Sequence, residues 1–351
     1  MNTPRVLVIL LAIITLVAVG TVLYLLQSVL LPFVLAVFLS FLFKPFILFC
    51  KKRKIPSAIA LLLVVCVLAG ALFGLYMIVA SSVDAFINAL PRYTVRMNII
   101  MSDVVGFVRQ TAVGFGVKAG DIRLSDAISV GSVTSIVSAS LGSALSLLGN
   151  GFLILLFMIF ILTGSGELSR KLGQAFADEQ AERASLVIEN IDARVRQYML
   201  TKTLVSLLTG ATSAIILTIL GVDFALLWGF LTFLLNFIPN IGSLFGTVFP
   251  VLIALLQFDN PARAIIALVL LVVSQNLIGN ILEPKIMAFS LNLSPLLILA
   301  SLIFWGWLWG VWGMILAVPI MSTIKIVCEQ VQALRPIAIL MSGSVAVVRT
   351  K

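Results

Sequence analysis

Residues 224–258 are apolar for about 35 residues, well beyond the roughly 20 that one helical span requires. The middle of this stretch reads Asn236-Phe237-Ile238-Pro239-Asn240-Ile241-Gly242. Pro239 has no amide hydrogen to give a helix, and Gly242 accepts backbone angles other residues avoid. A break inside the membrane is therefore expected, in a hairpin that enters and returns on one side. Non-helical backbone survives in hydrocarbon only where protein or water bonds it. Asn236, Pro239, Asn240 and Gly242 are accordingly expected to line a solute site. The competing reading is a plain loop between two short spans.

A second set of polar groups follows. Asn276, Gly279, Asn280 and Glu283 stand at i, i+3, i+4 and i+7 of an otherwise apolar segment, with Gln275 alongside. An amide left unbonded in hydrocarbon costs free energy, so this stripe is expected to face protein or water. It serves either as part of a solute site or as hydrogen-bonding glue between helices. A carboxylate within a membrane is a functional candidate, and Glu283 is placed to carry a proton or cation. Its plainer role is a surface ion pair with Lys285. Asp223 is expected to cap the helix that follows it. Lys325 and Glu329 form an i,i+4 pair, and Lys44 is expected to snorkel toward water.

The stretch 294–329 is again too long for one span. Its middle carries Trp305, Gly306, Trp307, Trp309, Gly310 and Trp312. A second broken hairpin is expected, with Trp305, Gly306 and Gly310 at the site. The indoles either reach a membrane interface or line a pocket for a compact polar solute. Pro250 and Pro319 follow the two breaks. Paired Gly/Pro-interrupted segments are the sequence pointer to a transporter's binding site.

Other chemistry is poorly supplied. The chain of 351 residues has no histidine, which removes the usual zinc ligand and general base. Cys50, Cys66 and Cys328 lack metal-type spacing and imply no disulfide framework. No phosphate loop or nucleophile elbow occurs. No enzyme activity, metal or cofactor is expected. The net charge of +9 falls mostly in short loops beside apolar runs, where it sets topology, so no nucleic acid is expected as a partner.

The elements that must position these residues are membrane helices. The chain is 61% hydrophobic and 11% charged, with a mean hydropathy of +1.21, far from a soluble domain. Spans are expected at 6–26, 29–49, 55–80, 144–163, 203–221 and 262–282, besides the two hairpins. The organisation reads as N-terminal transmembrane helices (1–80), then an amphipathic, periplasmic extramembrane segment (81–143). A transmembrane helix (144–163) and a cytoplasmic amphipathic hairpin (164–202) come next. The transport core (203–335) and a tail (336–351) complete it. Lys51-Lys52-Arg53-Lys54 sets the cytoplasmic side. The fold class is an all-α, polytopic transmembrane bundle with two broken, re-entrant hairpins in its C-terminal half. Partners are a small solute or cation and membrane lipid.

Three motifs resemble those of the autoinducer-2 exporter (AI-2E) family of bacterial membrane proteins. They are 236–242, then Asn280-Ile281-Leu282-Glu283-Pro284-Lys285-Ile286-Met287, then 304–319 from Phe304-Trp305-Gly306 to Ala317-Val318-Pro319. The resemblance implies a multi-pass protein of the bacterial inner membrane that exports autoinducer-2, a furanone-type quorum signal. It also implies a homo-oligomer, pentameric in the family. Other members are assigned as sodium/proton antiporters, so the family leaves the substrate open. Ala288 and Asn292 stand where the family linker is expected to have glycines. Three readings remain: an exporter, a sodium (or lithium)/proton antiporter centred on Glu283, and a non-transporting scaffold that recruits partners through 81–143 and 164–202.

Overall fold

The computed structural model describes residues 3–114, 151–164, 178–239, 241–286 and 293–343. The helices are α1 (Thr3–Leu25), α2 (Gln27–Lys52), α3 (Ser57–Gly114), α4 (Gly151–Gly164), α5 (Asp178–Leu220), α6 (Ala225–Leu235), α7 (Ile241–Gln257) and α8 (Ala262–Asn276). α8 continues through a π-helical stretch, Leu277–Leu282, into a short α9 (Glu283–Ile286). α10 (Pro295–Gln330) and α11 (Arg335–Leu340) follow. Among the described residues no strand forms; Leu293 and Ser342 make an isolated bridge.

Five helices are long and apolar enough to cross a membrane: Gln27–Lys52, Ser57–Gly106, Leu186–Leu220, Ala262–Ile286 and Pro295–Gln330. Their outer faces expose large side chains such as Ile219, Leu226 and Leu296. An apolar surface this extensive fits lipid rather than water as solvent. The chain is an all-α polytopic membrane bundle.

Three expected seams are absent. α3 runs unbroken through residue 81, and its 58 residues reach roughly 87 Å. The extramembrane segment is thus, up to Gly114, an extension of the preceding span; 115–143 lies outside the described residues. α5 fuses the expected polar segment to the span that follows, because no Gly or Pro interrupts 178–209. From Asp178 onward there is no hairpin. α1 and α2 meet at the single residue Leu26, with Leu26 N bonded to Val22 O and Leu30 N to Leu26 O. A bend stands where a loop was expected.

Both broken segments double back. α6 has 11 residues, roughly 16 Å, against about 30 Å of hydrocarbon. Its root and the end of α7 are tied together: Gln257 Nε2 donates to Gly221 O at 2.8 Å, and Asp223 N donates to Gln257 Oε1 at 2.8 Å. Hairpin 1 (α6–α7) therefore starts and finishes at the C-terminal end of α5. A Cβ on Gly242 would stand 2.0 Å from Leu235 O, which only glycine permits.

Hairpin 2 is α10 itself, divided at Gly310 (φ 64°, ψ −146°), a conformation essentially restricted to glycine. Ser301 Oγ donates to Ala317 O at 3.3 Å across its two arms. Its root sits partway along α5, well toward the N-terminal side of hairpin 1's root. Arg194 pairs with Glu329 at 3.3 Å, and Ser294 N donates to Met341 O at 2.9 Å. The hairpins thus approach one another along α5 from opposite directions and overlap. Phe237 and Ile238 at the tip of hairpin 1 share a core with Leu302, Ile315 and Ala317 of hairpin 2.

Two outcomes test this architecture. In a cysteine-free background, Ser102→Cys and Asn260→Cys should label from one side with an impermeant maleimide, and Lys285→Cys from the other. Labelling of Ser102 and Asn260 from opposite sides would remove the re-entrant hairpin. Gly310→Ala should cost about 1–3 kcal/mol of stability, read as a lower Tm in detergent, with Gly242→Ala costing at least as much.

Candidate functional site

The site is built on α5. Lys202, Ser206, Thr209 and Ser213 stand at i, i+4, i+7 and i+11, so they share one helix face. All are buried, Lys202 included. Opposite them lie Asn236 and Thr232 of α6 and Gln275 of α8. Asn236 Nδ2 donates to Ser206 Oγ at 3.0 Å. Lys202 Nζ bonds Glu283 Oε1 at 2.7 Å, one turn below. Small residues bring α6 close: a Cβ on Gly229 would stand 2.5 Å from the Cβ of Ala214.

The π-helical stretch decides which way the polar stripe faces. It shifts the residues that follow relative to an α-helix. Glu283 consequently turns inward to Lys202, while Asn276 and Asn280 are exposed on the outer flank. There Asn280 Nδ2 donates to Asn276 Oδ1 at 2.8 Å, and Asn276 Nδ2 to Val272 O at 2.8 Å. Gly279 has open space around it. The stripe is therefore split, with Gln275 and Glu283 inside and the asparagines outside.

The amides at the break of hairpin 1 are occupied by the turn itself. Asn236 N, Phe237 N and Ile238 N donate to Thr232 O, Leu234 O and Leu235 O, and Gly242 N to Ile238 O. Among the described atoms, this break offers the Asn236 side chain rather than a row of free amides. Pro239 sits in the turn, and Asn240 lies outside the described residues.

Several sequence expectations are corrected. Glu283 pairs with Lys202, not Lys285, which is exposed. Lys44 does not snorkel to water: its Nζ meets Asp192 at 2.6 Å, and Arg196 joins the same carboxylate at 3.0 Å. Asp223 does not cap α6, whose first flanking residue is Phe224 with no side-chain cap. Asp223 instead accepts Arg92, Tyr93 Oη at 2.7 Å and Gln257 Nε2 at 3.1 Å, at the root of hairpin 1. The i,i+4 pair Lys325–Glu329 is present at 3.7 Å, although Lys325 is buried.

The indoles do not share one pocket. Trp309 is buried and its Nε1 donates to Leu23 O at 3.4 Å. Trp305 packs with the tip of hairpin 1, whereas Trp307 is exposed and stacks on Tyr24. Gly306 lies against Met314. A groove of about 330 Å³ between α1 and hairpin 2, lined by Tyr24, Phe304 and Trp307, contains no charged residue.

Sequence reasoning missed Lys202, Ser206, Thr209, Ser213 and Thr232. The helical spacing of the α5 residues was the available signal, obscured because hydroxyls in a span are common. Removing one partner of a buried ion pair strands the other charge and costs about 3–5 kcal/mol, whereas replacing both with apolar groups is often neutral. Lys202→Met and Glu283→Leu should each lower stability by that amount, and the double variant should recover most of it. A double variant no better than either single would show that the two charges are not coupled.

The whole chain has relatives. The pattern of the AI-2E family transporters matches residues 13–333. The AI-2 transport protein TqsA of Escherichia coli K12 is 31% identical over 315 residues, covering 90% of each chain. YhhT of the same organism, provisionally named a transport protein, is 30% identical over 317 residues, 90% of this chain and 88% of its own. A protein of Borreliella burgdorferi with the same provisional description is 29% identical over 319 residues, 91% of this chain and 86% of its own. The chain, a multi-pass helical membrane protein with two helical hairpins, belongs to the AI-2E family of transporters.

Proposed function

We propose that this protein is a secondary transporter of the bacterial inner membrane that exports a small polar solute, with autoinducer-2 as the leading candidate. One observation carries the reading. Two broken hairpins approach along α5 from opposite directions and meet through an apolar core at their tips, next to the Asn236–Ser206 contact and the Lys202–Glu283 pair. Hairpins rooted on opposite sides supply two separate gates to one central site, as alternating access requires. The relation to TqsA supports the solute class.

A second reading rests on the same pair. A buried lysine and glutamate can exchange a proton for a cation, so sodium/proton antiport centred on Glu283 is the alternative. Function as a homo-oligomer is part of the proposal. Asn276 and Asn280 are exposed on the flank of an apolar helix, and amides at membrane depth favour a protein neighbour over lipid.

Reconstituted vesicles separate these readings. Wild type should move autoinducer-2 down its gradient, and Asn236→Leu should slow this about tenfold, the equivalent of one lost hydrogen bond. Salt-driven proton movement, detected with a pH-sensitive dye and abolished by Glu283→Gln, would establish the antiporter instead. A wild type that moves neither solute nor protons would end the transporter reading for this chain.

A further inference from the structure

The core between α5, α6, α7 and α8 contains buried polar atoms with no hydrogen-bond partner: Ser213 Oγ, Thr232 Oγ1 and Gln275 Nε2. Their residues are 0%, 1% and 8% exposed. The four helices pack in a ring, α5 on α6, α6 on α7, α7 on α8 and α8 on α5. Two contacts set the levels within it. Asn236 meets Ser206, which places Thr232 one turn higher. Glu283 meets Lys202, which places Gln275 about two turns higher on α8. All three atoms thus fall within about a turn of one level on α5. Thr232 Oγ1 faces α7, where a Cβ on Gly246 would stand 2.7 Å away.

Native proteins leave few buried polar atoms unbonded, and each one asks for an explanation. Here they come from three helices of one ring at a similar level, in a bundle whose outer face is apolar. Loose packing does not account for them, because Gly210, Gly229 and Gly246 hold the backbones in close approach.

The chemistry of the set defines its occupant. Two hydroxyls both donate and accept, and the Gln275 amide nitrogen only donates. Trp228 Nε1, one turn along α6 from Thr232, adds another unpartnered donor. The hydroxyl oxygens are able to ligate a cation, but the set has no carboxylate to balance its charge, because the nearest, Glu283, is already neutralised by Lys202. The site has no positive charge for an anion, because the nearest, Lys202, is already neutralised by Glu283. What remains is a small, uncharged molecule bearing hydroxyl or carbonyl oxygens.

We propose that Ser213, Thr232 and Gln275 form the solute-binding site, that it selects a neutral hydroxylated solute, and that it opens when hairpin 1 withdraws from α5. This inference rests on the transporter reading and names its substrate class. It also bears on the two readings above, since a site without net charge favours a neutral solute over sodium.

The test uses the purified full chain and two readouts. The first is Tm in detergent with millimolar erythritol or ribose, with ribose 5-phosphate and sodium chloride as charged controls. Millimolar polyol is below the range of general osmolyte stabilisation. Wild type should gain Tm with a neutral probe and not with the controls. Ser213→Ala, Thr232→Val and Gln275→Leu remove groups that bond nothing, so Tm without solute should hold or rise. Apparent affinity for the neutral probe should fall at least about tenfold.

Three outcomes overturn the assignment: no wild-type shift with any neutral probe, a shift retained in all three variants, or a solute-free Tm lowered in all three. The last would make these groups interhelical bonding partners. The second readout is autoinducer-2 flux in vesicles. Equal flux in wild type and all variants would refute the site while leaving transport standing. Solute binding lost in the variants, with no flux even in wild type, would refute transport while leaving the site standing.

Discussion

Backbone amides and carbonyls have no water to turn to inside a membrane, and this chain leaves its helices twice within apolar sequence. Each departure is made tolerable by a different device. In hairpin 1 the amides fold back on α6 carbonyls in a tight turn around Pro239, and Gly242 lets the backbone close to within contact of Leu235. In hairpin 2 a single glycine takes a left-handed angle and reverses the chain. Neither turn is left to lipid. Phe237 and Ile238 of the first are covered by the second hairpin, whose Trp305 and Trp312 pack against the same core. Each hairpin is therefore part of the other's shelter, which explains why they occur as a pair.

α5 is the frame on which both rest. Charged contacts attach it along its length: Asp192 to Lys44, Arg194 to Glu329, Lys202 to Glu283. Beyond its C-terminal end, Asp223 is held by Arg92 and Tyr93 of α3, and Arg96 donates to Asp259 O at 2.7 Å across the far root of hairpin 1. Charges within a membrane protein are expensive unless paired. Pairing them across helices turns that cost into a register between elements distant in sequence. The unbroken length of α5 lets one helix carry ties at the roots of both hairpins.

What the residues foretold and what they hid follow one physical division. A proline or glycine in an apolar run acts on its own backbone, so the breaks near Pro239 and Gly310 were legible. Polar groups in a span are expected to face protein or water, and Asn236, Gln275 and Glu283 do turn inward, whereas Asn276 and Asn280 do not. Who their partners are depends on packing. Lys202 and Glu283 are 81 residues apart, and no local pattern links them. The inward turn of Glu283 required a π-helical stretch that the i,i+7 spacing could not announce. The continuity of α3 and α5 was missed for another reason. Polarity marks where a helix meets water, not where it ends, and no breaker residue interrupts α5 between 178 and 209. Asp223 misled similarly: its position suits a cap, but a clamp of three donors from other segments outcompetes one local bond.

In the proposed opening, hairpin 1 rather than α5 is the part that moves. α5 is tied by ion pairs whose rupture would strand charges. Hairpin 1 packs closely on α5 through small residues, and among the described residues one side-chain hydrogen bond, Asn236 to Ser206, worth about 1 kcal/mol net, and no ion pair joins α6 to α5. The closed core also carries a built-in penalty. Each buried polar atom without a partner costs about 1–3 kcal/mol, recovered when water or solute reaches it. Ser213, Thr232 and Gln275 therefore oppose closure and offset part of the packing lost when the hairpin lifts. A carrier needs closed and open states of similar free energy, because a site sealed by perfect complementarity would stay sealed. Unbonded hydroxyls at the centre of an otherwise close-packed bundle bring the two states nearer to balance.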